Sequence, residues 1–243
     1  MDNRQSDLEV LKEFLALPHR ASAVLDRFAA LPGAVRRSGG GNENFVYIPG
    51  TREKAVLLVA HADTFNPGGK AIVLEEEGDV IRNSDRSKIL GADDRAGCAM
   101  LWLLRETGHG MLVTDGEEAG CRGAGFLRYG CPDLSEEINR RYQFMIQIDR
   151  RNGTDYKCYD VGTDEFRTYV EGKTGFADSG RRSRTDIVVL CDKICGVNLS
   201  CGYYDEHTPS EHIRKSEWLN TLAVLRKWLA EAELPKFERN CGE

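Results

Sequence analysis

The chain has 243 residues, enough for one α/β domain or two small ones, and at 41% hydrophobic it can bury a sizeable core. Its formal charge is -6 with the basic residues dispersed, which excludes a nucleic-acid footprint. The longest strongly apolar run, residues 55–60, falls far short of a membrane span, and residues 1–5 are polar with no apolar signal region, so the expectation is a cytoplasmic protein with no membrane partner.

In chain order, Ser6 and Glu9 form a capping box ahead of an apolar stripe of Leu8, Leu11, Phe14 and Leu15, which predicts a helix ending before Pro18. A second amphipathic helix follows on Ala21, Val24, Leu25 and Phe28 and ends near Gly33. The Gly-rich residues 38–42 lack the Lys-Ser/Thr of a phosphate loop and read as a turn into a strand over 45–48. Residues 55–60 read as a fully buried strand running into His61-Ala62-Asp63. A hairpin is expected over 71–74 and 79–82, with Glu75-Glu76-Glu77-Gly78 as its tip.

Gly91-Ala92-Asp93-Asp94-Arg95-Ala96-Gly97 opens a helix with Ala96, Ala99, Met100, Leu103 and Leu104 on its apolar face. A strand over 111–114 then delivers Asp115-Gly116-Glu117-Glu118. Helical segments follow at 121–129 and 135–141, and a strand over 144–148 ends on Asp149. Residues 156–161 and 166–170 read as a pair of strands, 187–190 and 197–201 as two more, and a last helix starts at Ser216. This alternation predicts a three-layer αβα sandwich with a mixed, mostly parallel central sheet, in one catalytic domain over 1–243.

The eight cysteines lack a paired C-x-x-C, so Cys191, Cys195 and Cys201 read as small buried hydrophobes rather than zinc ligands, and reduced thiols are expected throughout. His19 and His109 adjoin helix ends and read as surface residues.

The chemistry collects elsewhere. In open α/β sheets, ligands bind beyond the carboxyl ends of the strands. His61, Glu117-Glu118, Asp149 and His207 each follow a predicted strand, and Asp93 sits where a loop becomes a helix. Singly, each has a bland reading: a solvated Glu-Glu turn, a helix-opening aspartate, a loop carboxylate. Together, imidazoles and carboxylates without thiolates match a borderline divalent metal. Two ions bridged by one carboxylate use this many acids economically.

The ordered motifs His61-x-Asp63, Gly91-x-Asp93-Asp94-x-x-Gly97, Glu117-Glu118, Asp149 and His207-Thr208-Pro209 resemble those of the co-catalytic zinc exopeptidases of the phosphorylase/hydrolase-like fold, such as bacterial leucyl aminopeptidases, peptidase T and glutamate carboxypeptidases. The resemblance implies two divalent ions, zinc first, with cobalt or manganese as alternatives. His61 and Asp149 would hold one ion and Glu118 and His207 the other, with Asp93 bridging. Asp63 would orient His61, and Glu117 would be the general base on a metal-bridging water. It also implies a cis peptide after Asp93. Asp94 reads instead as a helix-opening carboxylate, His212 as a weaker rival to His207, and Thr185-Asp186 as a supporting pair.

Many relatives carry a lid or dimerisation domain between the counterparts of Asp149 and His207; here that interval is too short for one. The implied activity is hydrolysis of a terminal amide bond in a peptide, foremost as an aminopeptidase, with Asp205 and Glu206 near the substrate ammonium. A carboxypeptidase or N-acyl amino-acid deacylase is the alternative, drawing on Arg150, Arg151, Arg181, Arg182 and Arg184. Tyr203 and Tyr204 are candidates to meet the oxyanion. A reading from another class is a non-catalytic, metal-dependent binding module on the same scaffold.

Overall fold

The computed structural model describes residues 3–65, 68, 70–180 and 183–239; Arg181, Arg182 and Cys241 lie outside the described residues. Two helices, α1 (Asn3–Leu15) and α2 (Ala21–Ala29), lead into a hairpin of β1 (Val35–Gly40) and β2 (Glu43–Ile48). Next come β3 (Leu57–His61), the hairpin β4 (Leu74–Glu77) and β5 (Val80–Asn83), then α3 (Ala92–Leu104) and β6 (Gly110–Thr114). They are followed by α4 (Arg122–Gly125), α5 (Pro132–Arg141), β7 (Met145–Arg150) and β8 (Asp155–Lys157). Then come α6 (Asp164–Thr174), β9 (Ala177–Asp178), α7 (Asp186–Leu190) and β10 (Gly196–Ser200). The chain closes with β11 (Tyr203–Tyr204), β12 (His212–Arg214) and α8 (Lys215–Leu229).

The main sheet has eight strands in the order β1-β2-β6-β3-β7-β10-β8-β9. Its centre, β6-β3-β7-β10, is parallel, and β2 and β8 join antiparallel on either side. Side chains of a strand alternate between faces, and here both faces are apolar. Leu58 and Ala60 of β3 pack under α1, α2, α3, α6 and α8. Leu57 and Val59 pack with Ala124 of α4, Ile138 of α5 and Ile187 of α7 on the other face. The central strands are buried on both sides, which is why they read as continuous apolar runs rather than alternating ones. The expected αβα sandwich is what the chain builds, and the interval from Asp149 to His207 completes the main sheet.

Several local expectations are overturned. Residues 166–170 are not a strand but the middle of α6. Thr163 caps that helix by accepting from the Phe166 N–H, Asp164 and Glu165 favour its first turn, and Gly175 ends it at φ +68°. Phe166 and Val170, four residues apart, are its buried face. Residues 187–190 are the short helix α7, although Ile-Val-Val favours a strand. α1 begins three residues before Ser6, so the Ser6–Glu9 pair lies inside the helix rather than capping it. The strand β1 falls partly in the stretch read as a Gly-rich turn. The glutamates expected at a hairpin tip lie in β4 itself. That hairpin pairs with β12 and β11 in a second, four-stranded antiparallel sheet that the sequence did not suggest.

The seven described cysteines are free thiols, and all but Cys131 are buried. Among the described residues no helix is long and apolar enough to cross a membrane.

His19 and His109 are buried rather than superficial. His109 Nδ1 accepts from the Val56 N–H at 3.2 Å, while Nε2 lies 3.1 Å from the Leu229 carbonyl, joining the start of β3 to the end of α8. Burial pulls His109 down to about 4 against the Leu229 carbonyl, and the Arg52 guanidinium pulls the same way. The unfolded chain binds this proton below about 6.5, whereas the folded one does not until about 4. The stability contributed by neutral His109 is therefore complete above pH 6.5 and lost as pH falls towards 4, by up to about 3 kcal/mol. The urea midpoint of the wild type is expected to fall more steeply across this window than that of His109→Gln. Equal slopes would show that His109 titrates alike in both states.

Candidate metal centre

Each predicted ligand is placed by a strand end or by the opening of α3. β3 and β6 are parallel with His61 opposite Thr114, so the His61 loop and the Glu117-Glu118 loop leave the sheet side by side. Asp63 joins them: its two oxygens accept from the Glu117 N–H at 3.2 Å and the Glu118 N–H at 3.1 Å. The same carboxylate lies 3.3 Å from His61 Nδ1. That ring nitrogen is thereby turned away from the site and Nε2 towards it.

His61 Nε2 lies 3.0 Å from Asp93 Oδ1 and 3.3 Å from Asp149 Oδ1. His207 Nε2 lies 2.7 Å from Glu118 Oε1 and 3.2 Å from Asp93 Oδ2. Asp93 thus offers one oxygen to each imidazole. Two donor triads result, His61–Asp93–Asp149 and Asp93–Glu118–His207, each with its ligand atoms within 4.8 Å of one another. The Asp93–Asp94 peptide is cis. His212 is not part of the cluster; it stacks on Tyr204 and faces Asp205.

The supporting shell was mostly invisible in the sequence. Asp94, expected as a helix-opening carboxylate, is fully buried and accepts from the His61 and Gly97 N–H groups at 3.1 and 2.9 Å. Gly97 is required there, since a Cβ would lie 1.9 Å from the Ile148 carbonyl and 2.4 Å from Asp94 Oδ1. Glu211, 2% exposed, accepts from the N–H groups of Gly91 and Asp93 at 2.7 and 3.1 Å, holding the loop that presents Asp93.

Opposite Asp149 the β7–β10 register shifts between Asn198 and Ser200, and the Asn198 side chain replaces the ladder. Its Oδ1 accepts from the Asp149 N–H at 2.9 Å and its Nδ2 donates to the Asp149 carbonyl at 3.0 Å. Gln147 and Thr185 donate to Asp149 Oδ2 at 2.8 and 3.0 Å. Asp186 is fully buried and bonded to Thr114, so the Thr185-Asp186 pair does border the site.

The acids press on one another. Burial pushes Glu117 up to about 9, with His61 opposing and Asp149, Asp186 and Asp93 adding to the rise. Burial likewise raises Asp149 to about 7 despite His61. Burial would raise Asp93 too, but hydrogen bonds from His207 and His61 outweigh it and hold Asp93 well below the carboxylate range. His207 is pushed up to about 10, first by Asp93 and then by Glu118. Nitrogen and oxygen donors in two triads sharing one carboxylate fit a pair of divalent ions.

A cavity of about 550 Å³ opens over the cluster, lined by Asp93, Glu117, Glu118, Asp149 and His207 together with Arg150, Arg151, Lys157, Tyr159, Arg184, Asn198, Tyr203 and Glu206. Tyr203 donates to Asp149 Oδ1 at 3.4 Å. Tyr204 donates instead to Glu217 at 2.6 Å, and Asp205 lines a separate groove with Arg82 and Arg86, so the structure puts neither in this cavity. Arg150 is turned onto Asp155, with N–O distances of 2.7 and 3.4 Å. Glu118 also lines a second cavity of about 430 Å³, with Asp63, Phe65 and Asp115. Phe65, missed in the sequence, is 55% exposed and stacks on the His207 ring at 4.5 Å.

No known protein-family profile matches the chain. Among curated proteins, the uncharacterized protein YqjE of Bacillus subtilis is 28% identical over 182 residues, which cover 70% of this chain and 46% of that protein; the chain thus spans about half the length of the curated relative it matches. Among solved structures, the aminopeptidase PepT from Bacillus cereus superposes with a TM-score of 0.64 at 15% identity, covering 91% of this chain and 96% of that one. A tripeptidase from Staphylococcus aureus gives 0.63 at 14% identity, over 94% and 99%. An aminopeptidase from the archaeon Desulfurococcus kamchatkensis gives 0.62 at 13%, over 94% and 95%. The likeness shows the fold: the chain is built on the α/β scaffold of these aminopeptidase and tripeptidase structures.

Asp63 touches both the imidazole of one triad and the backbone that presents the other. Asp63→Asn is expected to weaken divalent-ion affinity about 10–100-fold, the usual cost of losing a partner that orients a ligand, as read by competition with a chromogenic chelator. Unchanged affinity would remove Asp63 from that role.

Proposed function

We propose that the protein is a dinuclear metal-dependent exopeptidase that hydrolyses a terminal amide bond of a peptide, acting as an aminopeptidase. The observation that carries this is Asp93, whose two oxygens lie 3.0 and 3.2 Å from two separate imidazoles, each backed by a further carboxylate. His61, Asp93 and Asp149 would hold one ion and Asp93, Glu118 and His207 the other. Bound divalent ions would supply Lewis acidity, polarising the amide carbonyl and lowering the pKa of water to about 7.

Glu117 belongs to neither triad, yet it lines the cavity over them. Its carboxylate takes the proton that the attacking water loses and returns it to the leaving nitrogen, the two halves of general acid–base catalysis. Asp63 fixes the backbone under Glu117, so the base sits on a loop clamped at both of its N–H groups. Tyr203, held within the cavity by Asp149, is the hydroxyl positioned to meet negative charge developing on the carbonyl oxygen.

The cavity cations Arg151, Lys157 and Arg184 favour a second reading, a carboxypeptidase or N-acyl amino-acid deacylase. The binding-module reading predicts stoichiometric metal without turnover on any aminoacyl or N-acyl substrate.

The division of labour within the Glu pair is open to direct test. Glu117→Gln is expected to retain two ions per chain by elemental analysis and to lose about 10²–10⁴-fold in kcat. Glu118→Gln is expected to retain one ion tightly. Equal metal loss in both variants would make Glu117 a ligand and not a base.

A further inference from the structure

The two imidazoles of the cluster are held differently. His61 is 1% exposed, and its Nδ1 lies 3.3 Å from the Asp63 carboxylate and 3.2 Å from the Asp63 carbonyl. A ring nitrogen engaged in this way fixes the direction of the other one. His207 is bonded through Nε2 alone: among the described residues no hydrogen bond reaches its Nδ1, and its side chain is 36% exposed. Its backbone stands at φ +65°, a left-handed conformation that a non-glycine residue keeps only where its surroundings hold it.

What lies against His207 is Phe65. The two rings are nearly parallel, their planes 13° apart and their centroids 4.5 Å apart, within the range that stacked aromatic pairs adopt. A ring pressed on one face resists tipping, and tipping is what would carry Nε2 away from Glu118 and Asp93. The negative face of a phenyl ring also favours an imidazole that has given electron density to a cation. An aliphatic side chain of similar size fills the space without that preference.

Chain order places Phe65 for this task. It lies on the loop that leaves β3, four residues after His61 and two after Asp63. Asp63 accepts from the Glu118 N–H at 3.1 Å, and Phe65 covers the His207 ring. One short loop thus carries a donor of the first triad and touches two of the three donors of the second. Phe65 belongs to neither apolar cluster of the core and is 55% exposed, so a substitution there alters the contact without emptying the interior.

We propose that Phe65 is a positioning residue for His207, its ring doing for this imidazole what the Asp63 carboxylate does for His61. The inference rests on the dinuclear reading above and adds what keeps the more exposed of the two imidazoles aimed. The effect of Phe65 is confined to the ion that Asp93, Glu118 and His207 would hold.

The test titrates zinc into wild type, Phe65→Leu and Phe65→Tyr against a chromogenic chelator, resolving the two stepwise affinities. Phe65→Leu is expected to weaken one of them about 2–10-fold, the worth of an aromatic pair, and to leave the other unchanged. Phe65→Tyr, which keeps the ring, is expected to match the wild type. In a Glu118→Gln background, where the second triad lacks its carboxylate, Phe65→Leu is expected to leave the affinity of the remaining ion unchanged. Two unchanged affinities, two equally weakened ones, a tyrosine no better than leucine, or a further loss in Glu118→Gln overturns the proposal. A second measurement needs no metal: carbon relaxation of the His207 ring, assigned by the signal missing in His207→Gln. The ring is expected to be rigid in wild type and Phe65→Tyr and mobile in Phe65→Leu on the picosecond-to-nanosecond scale. Equal mobility in all three overturns the assignment. A wild type that binds fewer than two ions would sink the dinuclear reading, while the ring mobility would still report on Phe65.

Discussion

Repulsion among buried carboxylates is the constraint on which this molecule depends. Asp93, Asp94, Glu117, Asp149, Asp186 and Glu211 converge at the carboxyl edge of one sheet, and burial alone raises the proton affinity of each. A fold keeps such a cluster only by giving each acid a compensating partner. The chain does so in two ways. Asp63, Asp94 and Glu211 accept backbone N–H groups and become part of the scaffold. Asp93, Glu118 and Asp149 face imidazoles and remain donors for a cation. The carboxylates proposed as ligands are thus those that face the imidazole Nε2 atoms.

The sheet contributes by stopping its strands together. His61 and Thr114 are register partners, so two chemically distinct loops begin at one level. At β7 the ladder gives way beside Asp149, and an asparagine side chain takes over the pairing. That substitution lets the backbone turn out of the sheet with both its polar groups satisfied.

The fold class and the proposed ligands were legible because both are local signals. A buried parallel strand is a short apolar run, and a polar residue directly after it marks the sheet edge. The misreadings have local causes too. Ile187-Val188-Val189 carries high strand propensity, yet packing of α7 against α4 and β7 decides it. Residues 166–170 alternate little, and the Thr163 cap was the better signal. The roles of Asp94, Glu211 and Asn198 were not legible, since each depends on a partner brought close by register or by distant chain. Glu211 and Gly91 are 120 positions apart, and no spacing rule connects them.

That separation shapes how the protein is made. The loop presenting Asp93 is held by Glu211, and the segment between β11 and β12 that carries His207 is anchored on the β4–β5 hairpin. Every strand of the main sheet precedes this segment in the chain. During synthesis the sheet can therefore assemble while His207 and Glu211, one donor of the second triad and the anchor of the Asp93 loop, are still missing. The triad of Asp93, Glu118 and His207 is therefore complete only when residues beyond 200 have left the ribosome and docked, whereas every residue of the triad of His61, Asp93 and Asp149 is made earlier.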